Sequence, residues 1–150
     1  MEDEGHLLLL QGPAGGGKSG VYAQLLRAGV AQVVADYTRI YVALTGVVRD
    51  PDTGLYPVRL ATDAVVAAGT VTYAQATIVR HALGAGLSTI VTTSRRGQER
   101  RWQQVAEETN AAFSVQTVDP GRQVVTERLA SQTGGVLSDE CETAIRRWYR

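Results

Sequence analysis

The stretch Gly12-Pro13-Ala14-Gly15-Gly16-Gly17-Lys18-Ser19 constrains the fold of this chain more than any other segment. It matches G-x-x-x-x-G-K-[ST], in which glycines let a loop wrap its backbone around phosphates while a lysine reaches the β- and γ-oxygens. The apolar run Leu7 to Leu10 precedes it, and Val21 to Arg27 can continue as a helix after it. Strand, loop and helix in that order turn a row of backbone N–H groups at a helix N-terminus toward an anion. Lys18 is the only lysine among 15 basic residues; every other such position is arginine. A slim ammonium suits the interior of such a loop, whereas a planar guanidinium has a different shape and donor geometry. The motif therefore predicts a site for a nucleoside triphosphate such as ATP. The bland alternative is a Gly-rich turn that matches the pattern by chance.

At 150 residues, with 44% apolar and 20% charged residues, the chain reads as one ordered domain, residues 1–150, with a single core. Its net charge is zero, so it carries no overall electrostatic footprint for nucleic acid. The single cysteine, Cys141, excludes an internal disulfide and suits a reducing compartment. No apolar stretch is long enough to span a bilayer, and the start Glu2-Asp3-Glu4 is unlike a signal peptide, so the expectation is a cytoplasmic protein with no membrane role.

Apolar patterning alternates strand with helix. Strands are predicted at Leu7–Gln11, Ala31–Ala35, Ser88–Thr93 and Ala112–Val118. Helices are predicted at Lys18–Ala28, Arg39–Leu44 (opened by Asp36 or Thr38), Thr72–Leu83, Gln98–Asn110 and Arg122–Ala130, with a last one capped by Ser138. That last helix carries Asp139, Glu140 and Glu142 in its first turn and Arg146, Arg147 and Arg150 at its end, an arrangement that complements the helix dipole. Asp50-Pro51-Asp52-Thr53-Gly54 reads as a strong turn leading into an irregular stretch through Tyr56-Pro57. The alternation predicts an α/β, doubly wound parallel sheet with ligands at the C-terminal ends of its strands.

Three further groups sit where that rim should lie. Asp36 and Arg39 follow the second strand. Arg95, Arg96, Arg100 and Arg101 crowd the run Ser94 to Trp102 after the third, with only Glu99 among them. Asp119-Pro120 and Arg128 follow the fourth. On the residues alone, Asp36 can be a helix N-cap, a ligand-facing carboxylate, or both. The arginine run can be a solvated helix face with an Arg95–Glu99 pair, or a phosphate contact in which Arg96 and Arg100 lie one helical turn apart.

The phosphate loop, the strand-two Asp and the Arg after it together resemble the P-loop kinases of the polynucleotide-kinase and zeta-toxin group. That resemblance implies a P-loop core in which Asp36 accepts a proton from an acceptor hydroxyl and Arg39 helps to hold the acceptor. It further implies an arginine lid at Arg95, Arg96 and Arg100 and, more loosely, Arg128 near the adenine. Lys18 would lie on the β- and γ-phosphates of ATP, with Mg2+ held by the Ser19 hydroxyl and Asp36. The acceptor would be a hydroxyl, with a nucleoside, nucleic-acid end, sugar and protein all open, and self-association is left open too. Ser88 to Ser94 ends without the Asp or Asp-Glu that orders magnesium and water in hydrolytic motors, and the chain leaves little room for the helical lid of an AAA-type motor. The chain also looks like short P-loop proteins of tailed phages, which keeps a second expectation alive, an ATP-binding switch or weak ATPase in an assembly. A non-catalytic binder of phosphate ligands is the third. His6 and His81 lack partners at metal-ligand spacing and read as structural, as do Trp148 and Tyr149, with self-association their less favoured role.

Overall fold

Apolar and β-branched residues with no polar alternation mark strands buried on both faces, and the centre of this molecule is built from two of them. The computed structural model describes residues 5–46, 68–132, 134–137 and 139–149. Among these, β1 (His6–Gln11), β2 (Val33–Ala35), β3 (Thr89–Thr93) and β4 (Ala112–Thr117) form one parallel sheet ordered β2-β3-β1-β4. All five residues of β3 are buried, while the edge strand β4 is largely exposed.

The helices are α1 (Lys18–Arg27), α2 (Tyr37–Thr45), α3 (Ala68–Gly84), α4 (Glu99–Glu108), α5 (Arg122–Gln132) and α6 (Asp139–Trp148). Alternation along the strands sends Leu7, Leu9, Ala35 and Val91 to one face, where Val79 and Leu83 of α3 and Trp102, Val105 and Ala106 of α4 cover them. Leu10 and Ile90 point to the other face and meet Tyr22 of α1. A satellite core of Val125 and Leu129 against Cys141 and Ile145 joins α5 to α6 and packs on Ala14 of the glycine-rich loop. The parallel sheet with helices on both faces is the α/β architecture expected from the sequence.

Several boundaries differ from the pattern reading, each for a local reason. The second strand begins at Val33 rather than Ala31, because the N–H groups of Gln32 and Val33 both go to Ser88 O before the ladder with β3 starts. The next helix begins at Tyr37, capped by Asp36. α3 starts a turn before Thr72 and buries Val71 completely. The Asp50–Gly54 turn, Tyr56-Pro57 and the Ser138 cap lie outside the described residues.

Candidate active site

The phosphate loop is shaped by close backbone approach. Val118 N–H donates to Gln11 O at 2.7 Å, carrying the end of β4 across the start of the loop. A Cβ on Gly12 would sit 2.2 Å from Val118 O, so only glycine fits there. Gly17, at φ 97°, is the left-handed residue that turns the loop into α1. No side chain caps that helix end, so its first N–H groups and the exposed Ser19 hydroxyl face the cavity.

Lys18 curls back over the loop. Its Nζ donates to Gly12 O at 2.6 Å, Pro13 O at 3.1 Å and Ser94 Oγ at 2.9 Å. Burial lowers its pKa to about 8, against the opposing pull of the Asp36 charge. Phosphate oxygens are stronger acceptors for an ammonium than carbonyls are. Arg128 of α5 reaches the same loop and donates to Gly15 O at 3.2 Å.

Asp36 stands at the tip of β2. Ala35 pairs with Val91, which sets the next residue, Asp36, beside Thr92. Thr92 Oγ1 donates to Asp36 Oδ1 at 3.0 Å, and Arg39 N–H donates to Oδ2 at 3.0 Å. The carboxylate is thus a helix cap that also lines the cavity, and each oxygen keeps a lone pair for another donor. Gln75 of α3, buried, secures the strand tips behind it, donating to Ala35 O at 3.0 Å and Thr92 O at 2.9 Å.

The cavity these elements enclose has a volume of about 1410 Å³. Single-ligand pockets run to roughly 300–1,000 Å³, so this cleft is large for one small ligand. Of the residues singled out in the sequence, Ala14 to Ser19, Asp36, Arg39, Arg95 and Arg128 line it together. Gly12 and Pro13 lie beneath the loop as acceptors for Lys18. Arg39 stands over the Tyr22 ring, 5.6 Å from its centroid.

Arg96 and Arg100 are placed elsewhere. α4 begins only at Glu99, so Arg96 precedes it and shares no helical face with Arg100. Arg96 Nε donates to Trp148 O at 2.8 Å, and its guanidinium stacks 4.1 Å from the Trp148 ring centroid. Arg100 is exposed and does not line the cavity. The Arg95–Glu99 pair is replaced at the Glu99 end by a bond from Gln11 Nε2 at 3.3 Å.

Sequence reasoning missed Gln75, Thr92 and Arg147, all of which line the cavity. A glutamine on the buried Val71–Gln75–Val79 stripe was a readable signal, since a buried amide needs partners. Thr92 becomes visible only through strand register, and Arg147 only through the docking of α6.

Residues that fit magnesium are at hand, because this ion keeps several waters and takes one or two protein oxygens besides those of phosphate. The Ser19 hydroxyl and the Asp36 carboxylate are oxygens of that type on one cavity wall. Among the described residues, no group of three or more His, Cys, Asp or Glu forms a self-sufficient metal site, and no helix is long and apolar enough to cross a membrane.

Comparisons with known proteins agree with the fold. The Pnkp1/Rnl/Hen1 RNA repair complex contains a chain that superposes with a TM-score of 0.66 at 15% identity, over 99% of this chain and 45% of that one. A candidate kinase from Chloroflexus aurantiacus J-10-fl gives 0.69 at 15% identity, covering 96% and 76%. A gluconokinase from Sinorhizobium meliloti 1021 gives 0.54 at 16% identity, covering 98% and 76%. This chain thus spans less than half of the RNA-repair chain and about three quarters of the other two. No curated protein matches the sequence. A family model described as AAA domain matches residues 7–147, nearly the whole chain, and with kinases as its structural neighbours the protein belongs to that P-loop family.

Proposed function

We propose that this protein is an ATP-dependent phosphotransferase that moves the γ-phosphate to a hydroxyl acceptor. The observation that carries the reading is Asp36, held by Thr92 and the Arg39 N–H, opening into the cavity that Lys18 and Ser19 line. Phosphoryl transfer needs alignment and charge neutralisation more than covalent help, and this wall supplies both. The acceptor oxygen forms a bond to the γ-phosphorus as the bond to the β,γ-bridging oxygen breaks and ADP leaves with its electron pair. The acceptor proton passes to a free lone pair of the Asp36 carboxylate. Lys18 takes the β- and γ-oxygens, Arg95 lies on the same rim, and Arg39 steadies the acceptor beside Tyr22. Ser19 and Asp36 would hold magnesium, which would supply charge neutralisation at the phosphates.

The test uses labelled ATP, a panel of hydroxyl acceptors and two variants. Lys18→Ala removes a charge-assisted contact of roughly 1.5–3 kcal/mol, so ATP affinity should drop by about tenfold to more than a hundredfold. Asp36→Asn should keep ATP binding while transfer drops by about two orders of magnitude, the usual scale for a general base. Equal ATP affinity in the Lys18 variant would remove the loop from the account. A protein that transfers to no acceptor, yet changes protease sensitivity with ATP, would point to a nucleotide switch instead.

A further inference from the structure

β4 is a sheet edge without the usual defences. Natural edges are blunted by charge, proline, a bulge or very short length. The opposite edge obeys that rule, because β2 has only 3 residues. β4 runs 6 residues, Ala112-Phe113-Ser114-Val115-Gln116-Thr117, with no charge and no proline. Its register with β1 is unbroken from Ala112 to Thr117, so no bulge turns it away. Among the described residues, no strand pairs with its outer side.

Two bonds fix the direction of its backbone groups. Ala112 N–H donates to Gly5 O and Val118 N–H to Gln11 O, both toward β1. These groups alternate along a strand, so Ser114 and Gln116 face β1 as well. Phe113, Val115 and Thr117 therefore turn their N–H and C=O groups outward. Their side chains stand on the α4 face of the sheet, in register with Leu7, Leu9 and Gln11. Val115, at the middle of this edge, is 36% exposed.

α4 packs over β1 and β4 and carries charge beside the edge. Glu108 marks its flank toward α3, where it pairs with Arg80. Arg100, Gln103 and Glu107 form an exposed stripe at helical spacing on the side away from α3. Arg100 and Glu107 form no ion pair among the described residues. They stand two turns apart, roughly 10 Å along the axis, too far to meet within one chain.

We propose that β4 is a dimer edge, on which a second copy of this chain lays its own β4 antiparallel across a two-fold axis at Val115. Val115 then faces Val115 of the partner subunit, and Phe113 faces the partner's Thr117. Each such pair exchanges two backbone bonds, because all of these residues point their N–H and C=O groups outward. One continuous sheet results, with the two α4 helices on the same face. They lie about two strand spacings apart, roughly 10 Å, which is contact distance for helices. Their opposite directions set Arg100 against the partner's Glu107, and Glu107 against the partner's Arg100. The contact closes on itself, since one copy occupies β4 and the short β2 offers no second edge for growth. Neither β4 nor Arg100, Gln103 and Glu107 lines the cavity, so pairing is independent of what the cavity binds.

Sedimentation of the full chain from about 1 to 100 µM should show a reversible monomer–dimer equilibrium. Residue-resolved hydrogen exchange over that range should slow at Phe113, Val115 and Thr117 as the dimer fills. Ala112, Ser114 and Gln116 should stay protected at every concentration. Val115→Pro deletes only an outward N–H, and Val115→Lys puts a charge on the axis. Each should weaken the dimer by about tenfold or more, with ATP affinity within about twofold of wild type. Thermal melting reads any fold loss; if Val115→Pro unfolds, Val115→Lys carries the comparison. Arg100→Glu and Glu107→Arg each set like charges together across the axis, so each alone should weaken the homodimer. An equimolar mixture of these two variants should dimerise, because only the mixed pair restores both opposite-charge contacts. A chain that stays monomeric throughout overturns the dimer edge, as does a dimer that survives both Val115 variants. So does slow exchange at Val115 in the dilute monomer, which would mean that another segment of the same chain covers β4. A mixture no tighter than either charge variant alone overturns the antiparallel two-fold.

Discussion

The Thr92 hydroxyl donates to Asp36 Oδ1 and accepts from Tyr37 N–H, each at 3.0 Å, so one side chain fixes both the carboxylate and the first residue of α2. Thr92→Val keeps the shape of a buried strand position and deletes both bonds. Stability should fall by about 1–3 kcal/mol, the cost of stranding polar partners. With Asp36 freed from one of its two side-chain constraints, transfer should slow by about tenfold while the ATP dissociation constant stays within twofold. Denaturant melts and calorimetry check the two halves separately. A stability loss with an unchanged transfer rate would reduce Thr92 to a structural role.

Gln75 offers a test one layer further back. Its amide donates to Ala35 O and Thr92 O from inside the core, at 2% exposure. Gln75→Leu preserves bulk and removes both donors, and should lower stability by about 1–3 kcal/mol. Because those carbonyls precede Asp36 and belong to the residue that holds it, the transfer rate should fall with acceptor KM little changed. A variant as stable as wild type would mean the carbonyls find other donors.

The phosphate loop, the parallel sheet and the Asp36 cap were legible in the sequence because each is a local pattern: glycines at fixed spacing, apolar runs, an Asp three residues before the N–H it caps. The roles of Thr92, Arg96 and Arg147 were not legible, because each depends on a partner far along the chain. Arg96 meets Trp148 across 52 positions, and Thr92 meets Asp36 across 56. An arginine-rich run after a strand looks like a lid until the docking of α6 shows that one of its members is already engaged.

Lys18 gives the nucleotide site a pH signature. Burial has brought it from the ordinary 10.5 down to about 8, and bound phosphates would favour the ammonium and raise it again. Binding therefore takes up a proton above about pH 8, and ATP affinity should be greatest below that pH and decline as pH rises. Calorimetry at pH 8.5 in two buffers of different ionisation enthalpy should show uptake of most of one proton, absent in Lys18→Met. The free protein has the opposite tendency. Between about 8 and 10.5 the unfolded chain binds the proton more readily than the fold does, so the contribution of Lys18 to stability rises with pH. No uptake in the wild type would mean that Lys18 does not gain the phosphates.

The last prediction concerns the contact that replaces a free lid. Arg96 is stacked on Trp148, whose indole donates to Asp119 Oδ2 at 3.2 Å while the Tyr149 hydroxyl donates to Oδ1. This ties the bends after β3 and β4 to the end of α6, the helix that carries Arg147. Burial pushes the Asp119 carboxyl up, but hydrogen bonds from Tyr149, Gly121 and Trp148 and the Arg96 charge hold it below the ordinary 3.8. Its contribution is therefore fully present at neutral pH and is lost only as pH falls below that value. Arg96→Gln removes a bond to a carbonyl and a cation–π contact at a partly solvated site, a loss of about 1–2 kcal/mol. Hydrogen exchange should quicken over both Ser94–Trp102 and the end of α6, since each loses the same anchor. The ratio of ATP to ADP affinity should stay that of the wild type, because the Arg96 side chain is not part of the cavity wall. A selective loss of ATP affinity, with exchange at the end of α6 unchanged, would instead place Arg96 on the γ-phosphate as a lid residue.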